Sequence, residues 1–431
     1  MITEKLIFKL RNSLLLLLVM SIIFSASTPV LANKKIVENM DSFTLYKGKI
    51  VDAETLSPLV FATVAVEGTN IATVTNSEGK FTLKVPNESN ATELKVSFIG
   101  YESLSKKLSD IKTGKTNVLK MKAIAVAITE VNVFPKDPIA LINKVMSLRS
   151  KNYMSEPVIM TAFYRETIKK RMAYVGLSEA VVQVHKASYS GFRSDQVKLF
   201  KGRKSSDTKK LDTLLFKLQG GPHSTLSLDI VKDPYMILDY DVLELYEYKI
   251  VNITRIDNKL NYVIEFKQRP HVTQPLFFGK IYIDVDNYAI SSIAFNLNTE
   301  NKYEAGAMFI KKKPMGVNVF PTSANYIVNY REQDGKWLFN YSRGEVTFKV
   351  NWKKKLFSTN YTTMVEMART NWELARDKPF KPSDRLKMNV IMSDAIDGFA
   401  DNGFWGEYNI IEPEQSIEVA IKKIRKKLTK D

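Results

Sequence analysis

Apolar and polar residues alternate along most of this chain, and short runs of turn residues interrupt the alternation. In the stretch Lys80–Val85, for example, Phe81, Leu83 and Val85 fall on one side of an extended strand and the polar residues fall on the other. A period of two with frequent turns is typical of strands that have one buried face. The pattern therefore predicts a mainly β fold over the greater part of the chain.

Hairpins are predicted repeatedly after residue 137, where alternating segments flank short polar turns. The predicted turns lie at Lys169–Arg171, Asp257–Asn258, Asp286–Asn287 and Asp334–Gly335. Asp-Gly is a strong hairpin signal because both residues tolerate the positive φ that a tight turn needs. Successive hairpins of this kind predict one large, curved antiparallel sheet.

Helical spacing replaces the alternation in two places. Asp137 is predicted to cap a helix that has Pro138 at its first position. Residues 205–245 contain Pro222, Pro234 and leucines at helical spacing, which predicts an inserted helical segment lying against the sheet.

The first part of the chain carries a recognisable series of pieces. They are GKIVD from Gly48, Pro58 before the second strand, Gly68-Thr69, GKF from Gly79 and FIGY from Phe98. These pieces resemble the carboxypeptidase-like regulatory domain, a transthyretin-like β-sandwich that is common in exported proteins of Bacteroidota. The resemblance implies a sandwich over residues 44–122 with an accessory role. It implies no peptidase activity, because only the companion module resembles that family.

The segment ATVTNSEGKFTLKV, Ala72–Val85, poses a choice between a calcium loop and a turn. A calcium loop needs several carboxylates at alternating spacing, and Glu78 is the only carboxylate here. Asn76 can bond to the following backbone, and Gly79 can adopt positive φ. We therefore predict a four-residue hairpin loop.

The remaining regions complete a two-domain plan. Residues 123–136 are predicted as a linker and residues 137–431 as the curved-sheet domain. Within it, GKIYIDVDNYAISSI, from Gly279, is similar to a hairpin of bacterial lipoprotein-carrier half-barrels. That likeness implies a half-barrel-like sheet that wraps a helix and can shelter an acyl chain.

Residues 1–32 have a basic start, an apolar run of leucines and a small-residue exit. These features predict a secretory signal peptide, and the apolar run falls short of the ~20 residues that a spanning helix needs. The chain has no cysteine, so it lacks both a lipobox and a disulfide framework. We expect export to the periplasm, with association at the outer membrane as a further expectation.

The search for chemistry finds no catalytic, metal or cofactor motif. His185, His223 and His271 lack zinc-ligand spacing, and His185 is expected to be half-buried or at the surface. Asp284 and Asp286 would share a strand face, which suits a metal or an acid/base pair, or else Asp286-Asn287 caps a hairpin and Asp284 lies in solvent. Tyrosines at 240, 246 and 248 could grip a sugar or peptide, or could be strand packing.

The net charge of +17 raises the question of an anionic partner. A basic C-terminal helix is predicted at about residues 414–429, with Ile417 on its apolar stripe. It could rest on an anionic membrane surface or dock on its own domain. The candidate contact residues are Lys422, Lys423, Arg425, Lys426 and Lys427.

These features predict a non-catalytic exported binding or accessory protein. The sandwich would contact a partner, such as an outer-membrane protein, and the curved sheet would hold a lipid or other apolar ligand. Nucleic acid is not expected, because no reader motif is present. The alternatives are an envelope hydrolase with an unrecognised site and a purely structural interaction protein.

Overall fold

A computed structural model describes residues 19–20, 42–124, 137–206, 218–376, 378–396 and 402–419. Most of the predicted signal peptide, most of the linker and residues 420–431 of the basic helix lie outside these ranges. Within the predicted signal peptide, β1 (Val19–Met20) pairs with β12 (Leu218–Gln219). Mainly β architecture is confirmed, with a small sheet region followed by a ten-stranded antiparallel sheet that does not close into a barrel.

The first domain is a sandwich of two sheets built from seven strands. They are β2 (Phe43–Asp52), β3 (Thr63–Val66), β4 (Ala72–Val74), β5 (Lys80–Pro86), β6 (Glu93–Ser97), β7 (Leu104–Lys107) and β8 (Thr116–Met121). One sheet has the order β5-β2-β8 and the other β4-β3-β6-β7. Val64, Leu83 and Val96 are fully buried between them. The β2–β8 pair is parallel, so the sandwich is not purely antiparallel as predicted.

The Asn76–Gly79 turn has the predicted chemistry but a different role. Asn76 Oδ1 accepts from the backbone N–H groups of Glu78 and Lys80, both at 2.9 Å, and Gly79 has φ +73°. However, the strands on either side lie in different sheets, because β4 pairs with β3 and β5 pairs with β2. The hairpin prediction was therefore wrong, and the turn is a corner between the two sheets.

Replacing Gly79 with alanine is expected to lower the free energy of unfolding by about 2 kcal/mol. A Cβ at this position would meet the Ile50 carbonyl oxygen at 2.7 Å and Cβ of Pro58 at 2.9 Å. Gly68→Ala is a matched control, since Gly68 has φ +71° but open space around it, and should lose no more than about 1 kcal/mol. Chemical denaturation measures both values, and equal losses would contradict the steric explanation.

The second domain is one ten-stranded sheet with the order β11-β10-β9-β19-β18-β17-β16-β15-β14-β13. Its strands are β9 (Val158–Lys170), β10 (Ala173–Lys186), β11 (Gln196–Ser206), β13 (Tyr246–Ile256), β14 (Lys259–Gln268), β15 (Phe277–Asp284), β16 (Ile290–Leu297), β17 (Val317–Gln333), β18 (Lys336–Trp352) and β19 (Thr359–Leu374). Hairpins form at all four predicted turns. At the β17–β18 turn Asp334 and Gly335 have φ of 51° and 73°, as a type I′ turn requires.

Short helices cover one face of this sheet, which we call the inner face. They are α1 (Pro138–Ser147), α2 (Arg149–Asn152), α3 (Pro222–Leu226), α4 (Tyr240–Leu243), α5 (Lys302–Phe309) and α6 (Met392–Ala395). Asp137 caps α1 as predicted, accepting from the N–H groups of Ile139 and Ala140. Residues of α1, α3 and α5 join those of the sheet in one continuous apolar core. In the described ranges the inner face is therefore packed against the chain's own elements.

The opposite, outer face of the sheet carries the sandwich and a C-terminal segment, residues 402–419, which we call the strap. Phe61 of the sandwich stacks on Tyr341 with ring centroids 5.3 Å apart. Val74 of the sandwich, Phe163 of the sheet and Trp405 of the strap share one apolar cluster. The sandwich that was expected to contact a partner thus packs, on this side, against its own chain.

Candidate functional site

A buried ion network joins the strap to the outer face of the sheet. Arg165 Nε lies 2.7 Å from Glu179 Oε1, and Arg165 Nη1 lies 3.1 Å from Glu366 Oε1. Its third nitrogen, Nη2, donates to the carbonyl of Ile411 at 2.7 Å. Arg203 Nε pairs with the other oxygen of Glu179 at 2.7 Å. Because these charges are paired and bonded, the network indicates a structural role.

The strap also holds the sandwich. Thr73 Oγ1 donates to the Ile410 carbonyl at 2.9 Å, and the Lys84 N–H donates to Asn409 Oδ1 at 2.7 Å. Residues 415–419 are helical, and Ile417 is 1% exposed against Leu177. The start of the basic helix thus packs on its own domain. Lys422, Lys423, Arg425, Lys426 and Lys427 lie outside the described residues.

The two aspartates proposed as an acid/base pair do not form one. Asp284 Oδ1 accepts from the N–H groups of Asp286 and Asn287, both at 3.0 Å, and so closes the β15–β16 turn. Asp284 is fully buried, which raises the pKa of its carboxyl, whereas Asp286 is exposed. Asp284 rather than Asp286 caps the hairpin, and the expectation that Asp284 is in solvent was wrong.

The tyrosines and histidines singled out in the sequence are dispersed. Tyr240 is 79% exposed, while Tyr246 is buried with its ring 5.9 Å from that of Tyr248, as in strand packing. His185 is buried rather than half-buried, and its ring lies 6.1 Å from that of Phe380. His223 lies in α3, where its Nε2 donates to the Leu386 carbonyl at 3.1 Å and burial lowers its pKa.

A cleft of about 510 Å³ opens where α1, α3 and the loop after β10 meet. Its apolar lining includes Met146, Phe192 and Met388, of which Phe192 is 96% exposed and Met388 47% exposed. The charged groups at its walls include Arg149, Arg193, Lys232, Asp195, Asp233 and Asp239. An apolar surface with a few charged groups is the usual composition of a small-molecule site.

A buried polar network lies beside the cleft and reaches its wall at Asp195. Lys186 Nζ lies 2.7 Å from Asp195 Oδ2 and 2.6 Å from Asp229 Oδ2. The hydroxyls of Tyr189 and Tyr330 donate to Asp229 at 2.7 and 2.8 Å. The flanking carboxylates raise the pKa of Lys186, so its ammonium stays charged. The network contains one lysine and two carboxylates, so Lys186 does not cancel the whole of its negative charge.

Three cations of the cleft are paired with no carboxylate among the described residues. Lys232 Nζ donates to backbone carbonyls, including that of Ala187 at 3.2 Å, and burial lowers its pKa. Arg149 Nη1 donates to the Val231 carbonyl at 3.3 Å. Arg193 is exposed and forms no hydrogen bond with the described part of the chain.

Burial also raises the pKa of Asp233, whose Oδ1 has no hydrogen-bond partner among the described residues. Asp195 lies 2.7 Å from Lys186 Nζ, outside the group of three cations. The lining carries three cationic and three acidic side chains, so the groups that offer charge to an anion are the cations with no carboxylate partner among the described residues.

Sequence reasoning did not find this cleft. Its residues come from α1, the loop after β10 and the segment around α3, which are far apart in the chain. Single lysines and arginines in polar loops form no sequence motif that would indicate a binding site. The available signal was the pair Gly220-Gly221 before Pro222, which marks a sharp turn: φ is 110° and 51° at the two glycines.

Other kinds of site are not evident in the described ranges. There, no group of three or more His, Asp or Glu side chains is placed to hold a metal ion. The described helices also include none with the length and apolar character that a membrane crossing requires.

Together these features define a two-domain, mainly β protein with a ligand-sized cleft and without an assembled acid/base pair at the predicted aspartates. Residues 46–133 match the family described as the CarboxypepD_reg-like domain. That match covers the sandwich and leaves the large sheet unassigned. The chain matches none of the curated proteins.

Solved structures resemble the chain only distantly. A DUF1329 family protein from Desulfovibrio piger is 11% identical, with a TM-score of 0.26 over 57% of this chain and 99% of that chain. Lipovitellin, from a structure concerned with lipid–protein interactions, is 9% identical, with a TM-score of 0.24 over 53% of this chain and 27% of its own. At these values neither likeness supports a functional argument.

Proposed function

We propose that this chain is a non-catalytic exported binding protein whose cleft holds a small organic anion with an apolar part. The observation that carries the proposal is the cleft of about 510 Å³ in which Arg149, Arg193 and Lys232 face apolar Met146 and Phe192. Arginine and lysine are the usual partners of carboxylate and phosphate groups. A ligand of this kind combines a charged head with a short apolar tail.

The accessory sandwich supports this class of function. Regulatory-like modules are expected to contact other elements rather than to carry catalysis, and here the sandwich packs on the sheet through Phe61 and Val74. The inner face of the sheet is filled by the chain's own core, so a long acyl chain along that face has little room. The proposal therefore puts the apolar ligand in the cleft.

Export is part of the proposal and rests on residues 1–32. Cell fractionation of a tagged chain tests it directly, because removal of residues 1–32 should leave the protein in the cytoplasm. Contact with an outer-membrane partner or anionic lipid is proposed for the basic residues Lys422–Lys427.

Arg193→Met is expected to weaken ligand binding by about 10- to 150-fold, since one charge-assisted hydrogen bond contributes roughly 1.5–3 kcal/mol. Native mass spectrometry of the chain purified from an expressing periplasm measures the bound ligand as an added mass. Because Arg193 has no described hydrogen bond, the variant should keep its stability. Arg376→Met, which removes the same charge at an exposed site away from the cleft lining, should retain the ligand. A wild-type chain without any added mass would contradict the proposal, as would steady hydrolysis of a peptide or glycan by the purified chain.

A further inference from the structure

Two arginines near the junction between the sandwich and the large sheet, the buried Arg369 and the half-buried Arg331, form no salt bridge among the described residues. Arg369 on β19 is 1% exposed, and its Nε and Nη1 have no partner among the described residues. Its Nη2 donates to Asn340 Oδ1 at 3.5 Å, which is long for such a bond. Arg331 on β17 has an unpaired Nη1. Burial lowers the pKa of both guanidinium groups, and the neighbouring Arg331 helps to lower that of Arg369 to about 9.

A cavity of about 60 Å³ lies between the two domains and is lined by Arg331, while Arg369 lies behind its wall. Its wall includes Thr63 of the sandwich and both Arg331 and Trp337 of the sheet. Asn340 connects Arg369 to this wall, because its Nδ2 donates to Thr63 Oγ1 at 3.1 Å. Trp337 Nε1 is also buried and unpaired. The unpaired atoms of Arg331, Arg369 and Trp337 are all N–H donors, so the junction lacks acceptors.

The carboxylates at the cavity wall are already paired. Asp257 lies 2.7 Å from Lys95 Nζ, and Glu332 pairs with Lys259. A buried guanidinium left without an acceptor loses its hydration and gains nothing in exchange, which is strongly destabilising. The junction therefore offers unpaired N–H donors to a further source of negative charge.

We propose that this junction binds a free oxyanion of phosphate size. Guanidinium groups match the geometry of oxyanions, and a phosphate accepts several hydrogen bonds at once. A water-sized atom needs roughly 10–15 Å³ of cavity volume. The cavity of about 60 Å³ therefore accommodates about four to six atoms of that size. Phosphate has five atoms. The anion would contact donors of the sheet and the wall of the sandwich together, and it would stabilise the docked arrangement.

Thermal unfolding of the whole chain, followed with inorganic phosphate at constant ionic strength, tests the proposal. Saturating phosphate is expected to raise the midpoint of the wild-type protein by about 5 °C. Arg369→Met should abolish this rise. In phosphate-free buffer the same variant should be at least as stable as the wild type, because methionine removes a buried charge that has no partner. A merely structural role for Arg369 would instead lower stability and leave the phosphate response intact.

Controls separate this site from the cleft and from general salt effects. Arg193→Met changes a cation of the cleft and should keep the full phosphate response, so loss of that response would assign the anion to the cleft instead. Acetate at equal concentration should produce less than half the rise, and an equal rise would overturn the assignment to a phosphate-sized ion. No rise with phosphate in the wild type would overturn the proposal altogether. If Arg369→Met does not fold, Arg331→Met provides the same test.

Discussion

Replacing Arg165 with methionine is expected to lower the free energy of unfolding by about 3–5 kcal/mol. Arg165 is 1% exposed and contacts Glu179, Glu366 and the backbone of Ile411 through its three nitrogens. Without the guanidinium, Glu366 loses a partner in a buried position, and the Ile411 carbonyl loses its donor. Loss of one partner from a buried ion pair is more destabilising than the pair is stabilising, because the remaining charge stays dehydrated.

The same substitution should also release the strap. Urea denaturation measures the stability, and limited proteolysis measures how fast residues 402–419 are cut. Arg376→Met is again the control, since Arg376 is exposed and should change stability by less than about 0.5 kcal/mol. A loss of stability without faster cleavage of the strap would mean that the strap is held by its apolar contacts, such as Trp405 on Phe163, rather than by Arg165.

The sequence was informative where local chemistry decides the structure. Asp334-Gly335 forms the predicted turn because both residues adopt positive φ, and Asp137 caps α1 because its side chain meets N–H groups two and three residues away. Such interactions involve a few consecutive residues, so the sequence contains them directly. The alternation of Phe81 and Leu83 likewise fixed the buried side of β5.

The prediction from the sequence was wrong where pairing between distant strands decides the structure. Asn76 and Gly79 form the expected turn, but the hairpin fails because β5 finds its partner in β2 instead of β4. The local turn does not determine which sheet the next strand joins. The outcome depends on pairing across the whole sandwich, which the residues of the turn do not encode.

Charged residues on strands were a second feature that the sequence did not place. Arg165, Glu179 and Glu366 are charged strand residues, which normally indicate a face in solvent. Here the sandwich and the strap cover that face, so the charged residues become a buried network. The candidate cleft was missed for a related reason, because Lys186 and Asp229 meet only after the segment around α3 folds against the end of β10.

Glu166 gives the second large prediction, because it is a carboxyl on the inner face without a cation beside it. It is 5% exposed, and Tyr164 Oη donates to its Oε2 at 2.8 Å. Burial raises its pKa to about 7, the hydrogen bonds from Tyr164 and Ser178 oppose that rise, and nearby Asp394 adds to it. The folded state therefore holds this proton more tightly than the unfolded chain does.

Stability should consequently fall as the pH rises through the window between the two pKa values, from about 4.5 to about 7. Below this window the Glu166 carboxyl is protonated in both the folded and the unfolded state, and its contribution to the free energy of unfolding is complete. Above the window the loss of unfolding free energy is constant at about 3 kcal/mol. Glu166→Gln keeps the shape without the charge, so the variant should match the wild type near pH 4 and exceed its unfolding free energy by up to about 3 kcal/mol at pH 8.

Urea denaturation of both proteins at several pH values isolates the one group, because all other titrating residues are shared. Glu373→Gln, at an exposed site on β19, is the control for the loss of one carboxylate that stays in solvent. A constant difference between the Glu166 variant and the wild type across the window would mean that this carboxyl does not titrate there.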